Sequence, residues 1–155
     1  MAQEVIFLPP GGGRSYDVGG MRGTIKADGA ESDGRHCFSE WTLQPGDEGP
    51  PPHLHKEHQE AFYVVEGTMI FQAGDEEIEA PAGSFVLIPA GIVHKFSNPT
   101  DSPATCVNVW LPGGFEDYFS HMIERMAGED PPDPAEVVKL SAEYDVFFPE
   151  RESAG

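Results

Sequence analysis

Basic residues are scarce in this chain: 9 Lys and Arg stand against 27 Asp and Glu, a formal charge of −18 over 155 residues. A surface of that sign repels phosphate backbones and anionic lipid headgroups. Nucleic-acid and membrane partners are therefore not expected, and the acidity reads as a solubility feature. An anionic substrate would have to be drawn in locally, against the field of the whole protein. Cysteine is sparse as well. Cys37 and Cys106 are the whole complement, too few for a disulfide framework and in keeping with a reducing compartment. No apolar run reaches the roughly 18 residues that suggest a membrane span. The opening Met1-Ala2-Gln3-Glu4-Val5 lacks the basic start and apolar stretch of a secretory signal. The expectation is a soluble, cytoplasmic protein with a single domain over residues 1–155.

Glycine and proline, in contrast, are plentiful and punctuate the chain. After the short apolar run Val5–Leu8, the segment Pro9–Gly13 is a turn-rich break. Short extended runs follow at Phe38–Leu43, Ala61–Val65, Thr68–Ala73, Phe85–Ile88, His94–Ser97 and Thr105–Leu111. Turn signals separate them, among them Gln44-Pro45-Gly46-Asp47, Glu66-Gly67, Pro81-Ala82-Gly83, Pro89-Ala90-Gly91 and Asn98-Pro99. Many short strands at this spacing predict an all-β sandwich or barrel. Beyond Pro112-Gly113-Gly114 the apolar period becomes helical through Phe115–Met126, and Asp130-Pro131-Pro132 stops that helix. Asp133 then reads as an N-cap ahead of a second helix, Pro134–Tyr144. These two helices make a C-terminal extension over about 115–145, whose Phe, Tyr and Met residues are expected to cover the barrel.

Four of the six histidines lie in two segments, Pro52–Glu60 and Gly91–Asn98. His53 and His55 are two apart, so on an extended strand both imidazoles project from one face. Glu60 opens the next apolar run, and His94 opens another after a sharp turn. Three neutral imidazoles and one carboxylate suit a single divalent transition metal, Fe, Ni, Mn, Co, Cu or Zn, with identity not fixed by the donors. Four protein ligands leave open positions for substrate, water or dioxygen. Glu57 competes with Glu60 as the acidic ligand; Glu60 is preferred for its place at the strand entrance. His58 sits in the bend between strands and reads as solvated, or as lining the mouth. His36 and His121 have no metal spacing.

The spacing continues as His53-x-His55-x4-Glu60-x6-Gly67, joined by Gly83-x5-Pro89-x-Gly91-x2-His94-x3-Asn98. In this the chain resembles the cupin family, over residues 46–98. The second motif is matched at every defined position. The first departs at its leading glycine, Gly46, which is one residue further from His53 than usual. The resemblance implies a double-stranded β-helix, or jelly roll, with a short C-terminal helical segment. Pro112-Gly113-Gly114-Phe115-Glu116-Asp117-Tyr118-Phe119, with the closing helix, is similar to small single-domain cupins grouped with quercetin 2,3-dioxygenases.

Strand alternation from Glu60 aims Phe62 and Val64 inward, and from His94 it aims Phe96 inward. These three are the expected substrate-pocket residues, in an apolar setting suited to a small, partly aromatic ligand. Lys26 lies on an early strand within reach of that pocket. Asn98 reads as a turn residue. The expected function is a metal-dependent dioxygenase acting on a small aromatic or enolisable molecule, with Glu60 as catalytic proton acceptor. The alternatives are a redox-silent isomerase, lyase or cyclase, and a non-catalytic small-ligand binder. A homodimer is expected, with Val5–Leu8 covering a sheet edge on the neighbouring chain.

Overall fold

The structure, a computed structural model, describes residues 4–128, 130 and 132–149. Met1–Gln3 and Pro131, on which parts of the leader and helix-stop readings fall, lie outside the described residues. Nine strands and two helices occur among the described residues. The strands are β1 (Arg14–Val18), β2 (Met21–Ala27), β3 (Cys37–Leu43), β4 (Gln59–Glu66), β5 (Thr68–Ala73), β6 (Glu76–Pro81), β7 (Phe85–Ile88), β8 (His94–Ser97) and β9 (Ala104–Leu111). The helices are α1 (Asp117–Met126) and α2 (Pro134–Glu143). Two antiparallel sheets, ordered β1-β2-β3-β9-β4-β7 and β6-β5-β8, form the jelly roll.

Alternation explains why these segments became strands. In β4, Glu60, Phe62 and Val64 are buried whereas Tyr63 and Val65 face outward. In β9, Cys106, Asn108 and Trp110 share the inner face. Both cysteines are free and buried. Three strands escape the pattern. β1 carries Arg14 and Asp17 and lies at a sheet edge, where one side needs no apolar cover. β6 reads Glu76-Glu77-Ile78-Glu79, so charge hides it; Ala80 is its one buried residue. β2 holds Gly23, which interrupts its apolar pattern. The reason is close approach: a Cβ there would lie 2.4 Å from the Trp41 ring.

Asn98 is a turn residue with a structural task. Its side-chain amide donates to the carbonyls of Leu43, Gln44 and Ser102, while its Oδ1 accepts from Thr100. That cross-link closes the end of the barrel nearest Gly46. In the helical segment, the Asp133 side chain accepts from the Ala135 amide at 3.1 Å, and Pro134 occupies the first turn of α2. Glu116, just ahead of α1, is buried and accepts from the amides of Gly29 and Gly114, both at 2.8 Å. It ties the start of α1 to the β2–β3 connection. No helix among the described residues is long and apolar enough to cross a membrane.

Candidate metal centre

His53 lies just ahead of β4 and bridges His94, the first residue of β8, through paired main-chain hydrogen bonds of 3.1 and 2.8 Å. This antiparallel bridge brings the two sequence motifs face to face. Glu60 is the second residue of β4 and pairs in register with Trp110 of β9. One ligand atom from each of His53, His55, Glu60 and His94 lies within 4.8 Å of the others, and all four residues are buried.

The imidazole orientations decide what this cluster can hold. Each ring gives its Nδ1–H to a main-chain carbonyl: His53 to Pro51 at 2.9 Å, His55 to Asp145 at 2.8 Å, and His94 to Ile92 at 2.9 Å. That places the first proton on Nδ1 and leaves Nε2 of each neutral ring as a lone pair. Glu60 Oε2 lies 2.6 Å from His94 Nε2 and 3.2 Å from His55 Nε2. A carboxylate oxygen and two unprotonated nitrogens at those distances repel unless a cation, either a proton on the nitrogen or a metal ion, lies between them. A divalent metal meets that need with all four donors, so the residues present fit one.

Glu60's other oxygen is occupied. Its Oε1 accepts a short hydrogen bond from the Trp110 indole N–H and lies 3.4 Å from the Asn108 amide. One oxygen is thus held by the barrel wall and the other turned to the histidines. Burial opposes ionisation of Glu60, yet its hydrogen bonds from His55 and His94 hold the carboxyl well below the usual range. Burial also disfavours a charged His55, but the hydrogen bond and charge of Glu60 outweigh it and raise that histidine. For His53 the charge of Glu60 falls short of the opposing effects. Burial, reinforced by repulsion from the neighbouring imidazoles of His94 and His55, lowers it to about 4. Without metal the centre thus favours a second proton on His55 beside an ionised Glu60, and the neutral form of His53.

A cavity of about 300 Å³ adjoins the centre and takes His53, His55 and Glu60 into its wall. Trp41 and Trp110 line it from the sheet, and Phe115, Tyr118, Phe119 and Met122 line it from the helical segment. The rings pack against one another, Trp110 on Phe115 at 4.1 Å and Trp41 on Phe119 at 4.8 Å between centroids. The helical extension is therefore a wall of the site as well as a cover for the barrel. Among the described residues, no lysine or arginine lines the cavity.

Of the three expected pocket residues, Phe96 reaches this wall, whereas Phe62 and Val64 do not. Alternation does turn both inward. Beyond Glu60, however, the inner face of β4 runs into the closed core, where Phe62 packs on Phe71 and Phe96 at 5.0 and 5.5 Å. Lys26 is spent elsewhere, donating to the Gly12 carbonyl at 2.7 Å. His58 is not solvated. Its side chain is 11% exposed, its Nδ1–H donates to Asp145 at 2.9 Å, and it lies beside Phe115. His121 contacts the Tyr144 hydroxyl on the helical face. Trp41, Trp110 and Asp145 were missed by sequence reasoning. For Trp110 a signal existed, since it alternates with Asn108 on a strand, but its partner is 50 residues away.

Residues 39–110 match the cupin domain model. The chain carries a cupin domain. It is 40% identical over 68 residues to quercetin 2,3-dioxygenase of Bacillus subtilis, which is 43% of this chain. The chain spans 20% of the length of that enzyme. Among solved structures, a cupin-superfamily sugar phosphate isomerase from Silicibacter pomeroyi is 27% identical, with TM-score 0.53 and 59% of each chain covered. The polyketide cyclase RemF of Streptomyces resistomycificus shares the fold at TM-score 0.62 and 20% identity, over 70% of this chain and 80% of its own.

Proposed function

We propose that this cupin is a metal-dependent dioxygenase acting on a small aromatic or enolisable molecule. The observation that carries the reading is the aromatic cavity that opens onto the His53, His55, Glu60 and His94 cluster, with no cationic side chain in its wall among the described residues. Such a wall suits a planar, largely apolar substrate and offers a phosphate or dicarboxylate no cationic side chain among the described residues. The sequence match to a quercetin 2,3-dioxygenase supports the same class. When bound, the metal supplies Lewis-acid charge that lowers the pKa of a coordinated hydroxyl. The three histidines hold it through their Nε2 atoms. Glu60 presents Oε2 as ligand and as proton acceptor, with Oε1 fixed by Trp110. The ring faces of Trp41, Phe115 and Phe119 exclude water and orient the substrate plane.

Oxygen uptake by metal-loaded protein on a panel of flavonols and enediols tests this. Turnover that needs both metal and dioxygen is the expected result. Equal turnover without oxygen would overturn it in favour of a redox-silent isomerase, the class to which the 27% identical relative points. Zinc substitution separates the two, because zinc has no redox chemistry. Activity retained with zinc marks the isomerase class, and activity lost marks the oxygenase.

The assembly inferred is a homodimer. Val5 and Phe7 of the N-terminal arm are 97% and 84% exposed, with no cover among the described residues. The outer face of the larger sheet exposes Phe38, Tyr63, Val65, Phe85 and Leu87. Cross-strand pairing places Tyr63 opposite Phe85, and Phe38 opposite Val109. Apolar surface of this extent on so acidic a chain is best buried against a second copy.

A further inference from the structure

We propose that Asp145 is a positioning residue of the metal centre, through which the C-terminal segment sets the orientation of His55. The inference rests on the reading that the four-residue cluster binds metal. Asp145 is 85 residues from Glu60 in sequence and is not a ligand. Yet its main-chain carbonyl accepts the His55 Nδ1–H at 2.8 Å. Its carboxylate accepts three successive amides of the loop that follows His55. The Lys56 N–H reaches Oδ1 at 2.8 Å, and those of Glu57 and His58 reach Oδ2 at 2.8 and 2.9 Å. The His58 ring adds a fourth bond to Oδ2 at 2.9 Å. One residue thus grips His55 by its ring and the loop on its C-terminal side by its backbone.

The local backbone places Asp145 in this position. α2 ends in a Schellman motif: the Val146 N–H returns to the Ser141 carbonyl at 2.9 Å and the Asp145 N–H to Ala142 at 3.1 Å. The residue past the cap must then be left-handed, and Asp145 has φ of 62°. Glycine is the usual occupant, because a side chain there carries a steric cost of about 1 kcal/mol. Aspartate tolerates the conformation better than most, and here its carboxylate supplies what glycine lacks. Phe147 continues the attachment by pairing with Leu54 through main-chain bonds of 2.9 and 3.0 Å. Val146 and Phe148 then reach the cavity wall. The segment that walls the cavity is therefore the one that fixes the tautomer of a metal ligand.

Cobalt(II) titration of Asp145→Gly, Asp145→Asn and the control Ser141→Ala tests the assignment. Glycine keeps the left-handed backbone and the carbonyl but loses all four carboxylate bonds. Asparagine keeps one side-chain oxygen acceptor. Ser141 is buried in the same segment and bonds Tyr118, away from the metal loop, so its variant reports general destabilisation. Loss of a partner that orients a metal ligand typically weakens binding about 10- to 100-fold. That loss, with an altered cobalt absorption spectrum, is expected for Asp145→Gly, and a smaller one for Asp145→Asn. Ser141→Ala should lower the melting temperature while leaving affinity and spectrum unchanged. Wild-type affinity and spectrum in Asp145→Gly overturn the proposal, as does an equal affinity loss in Ser141→Ala. If wild-type protein binds no cobalt, the metal reading itself fails. Nitrogen-15 spectra of metal-free protein then decide the positioning role. His55 should show a hydrogen-bonded Nδ1–H, and the Lys56, Glu57 and His58 amides should exchange at least tenfold faster in Asp145→Gly. Unchanged exchange would overturn it.

Discussion

Replacing Trp110 with phenylalanine tests the electrostatics of Glu60 directly, because the protein contains its own control. Trp41 and Trp110 are each 3% exposed, and both indoles line the cavity. Trp41 donates to the neutral Ser39 hydroxyl at 3.0 Å, whereas Trp110 donates to the Glu60 carboxylate. Trp→Phe removes the same atoms at both positions, so packing losses largely cancel between them. A hydrogen bond to a charged group contributes about 1.5–3 kcal/mol and a neutral one about 0.5–1.5. Asn108, at 3.4 Å from the same oxygen, is too distant to take over. Trp110→Phe should therefore be the more destabilising by about 1–2 kcal/mol, or about 3–6 °C in Tm for a domain of this size. Glu60 is held below the ordinary carboxylate range, so its contribution is present above the unfolded value and lost only as pH falls through the folded one. The gap should accordingly persist from pH 5 to 8. Thermal melts of the two metal-free variants at pH 7.5 provide the measurement. An equal loss, or a larger one for Trp41→Phe, would refute the argument that Trp110 stabilises a buried carboxylate.

Elemental analysis of protein purified without an affinity tag should show close to one metal per chain. His53→Ala or His94→Ala should abolish most of it, while His58→Ala, whose ring faces Asp145, should retain it; loss in His58→Ala would reassign the first motif. Acid should act in two ways. Between about pH 6.5 and 4 the unfolded chain takes a proton that folded His53 refuses, so metal-free protein should lose about 3 kcal/mol of stability on acidification through that window. His55, in contrast, holds its proton to higher pH, and metal must displace it, so apparent affinity should rise as pH climbs past about 6.5. Release from loaded protein should begin at roughly pH 5–6 and be steep, since several imidazoles charge together. Metal content unchanged from pH 8 to 4.5 would remove the three-histidine assignment. Light scattering of a chain lacking residues 1–10 should show a reduced dimer fraction, and an unchanged dimer mass would exclude the arm from the interface.

The strands of the barrel centre were legible because their apolar residues alternate and glycine or proline turns bound them, as in Phe38–Leu43 and Thr68–Ala73. β1 and β6 were not, because an edge strand satisfies half its backbone in solvent and can afford charge on both faces. The cluster of His53, His55, Glu60 and His94 was also written in the chain, since short spacings at strand entrances leave little freedom in where a side chain points. What surrounds the cluster was decided by tertiary structure. Phe62 and Val64 turn inward as their alternation demands, but only packing placed them in closed core and gave the cavity to Trp41, Trp110 and the face of α1. No local rule pairs Glu60 with Trp110, which depends on the register of β4 against β9. Nor does any rule deliver Asp145 to His55, which depends on where α2 ends and on the left-handed turn that ends it. Sequence periodicity sets the face on which a side chain emerges; the partner it meets there is set by elements 50 and 90 residues away, through contacts that exist only once the chain has closed.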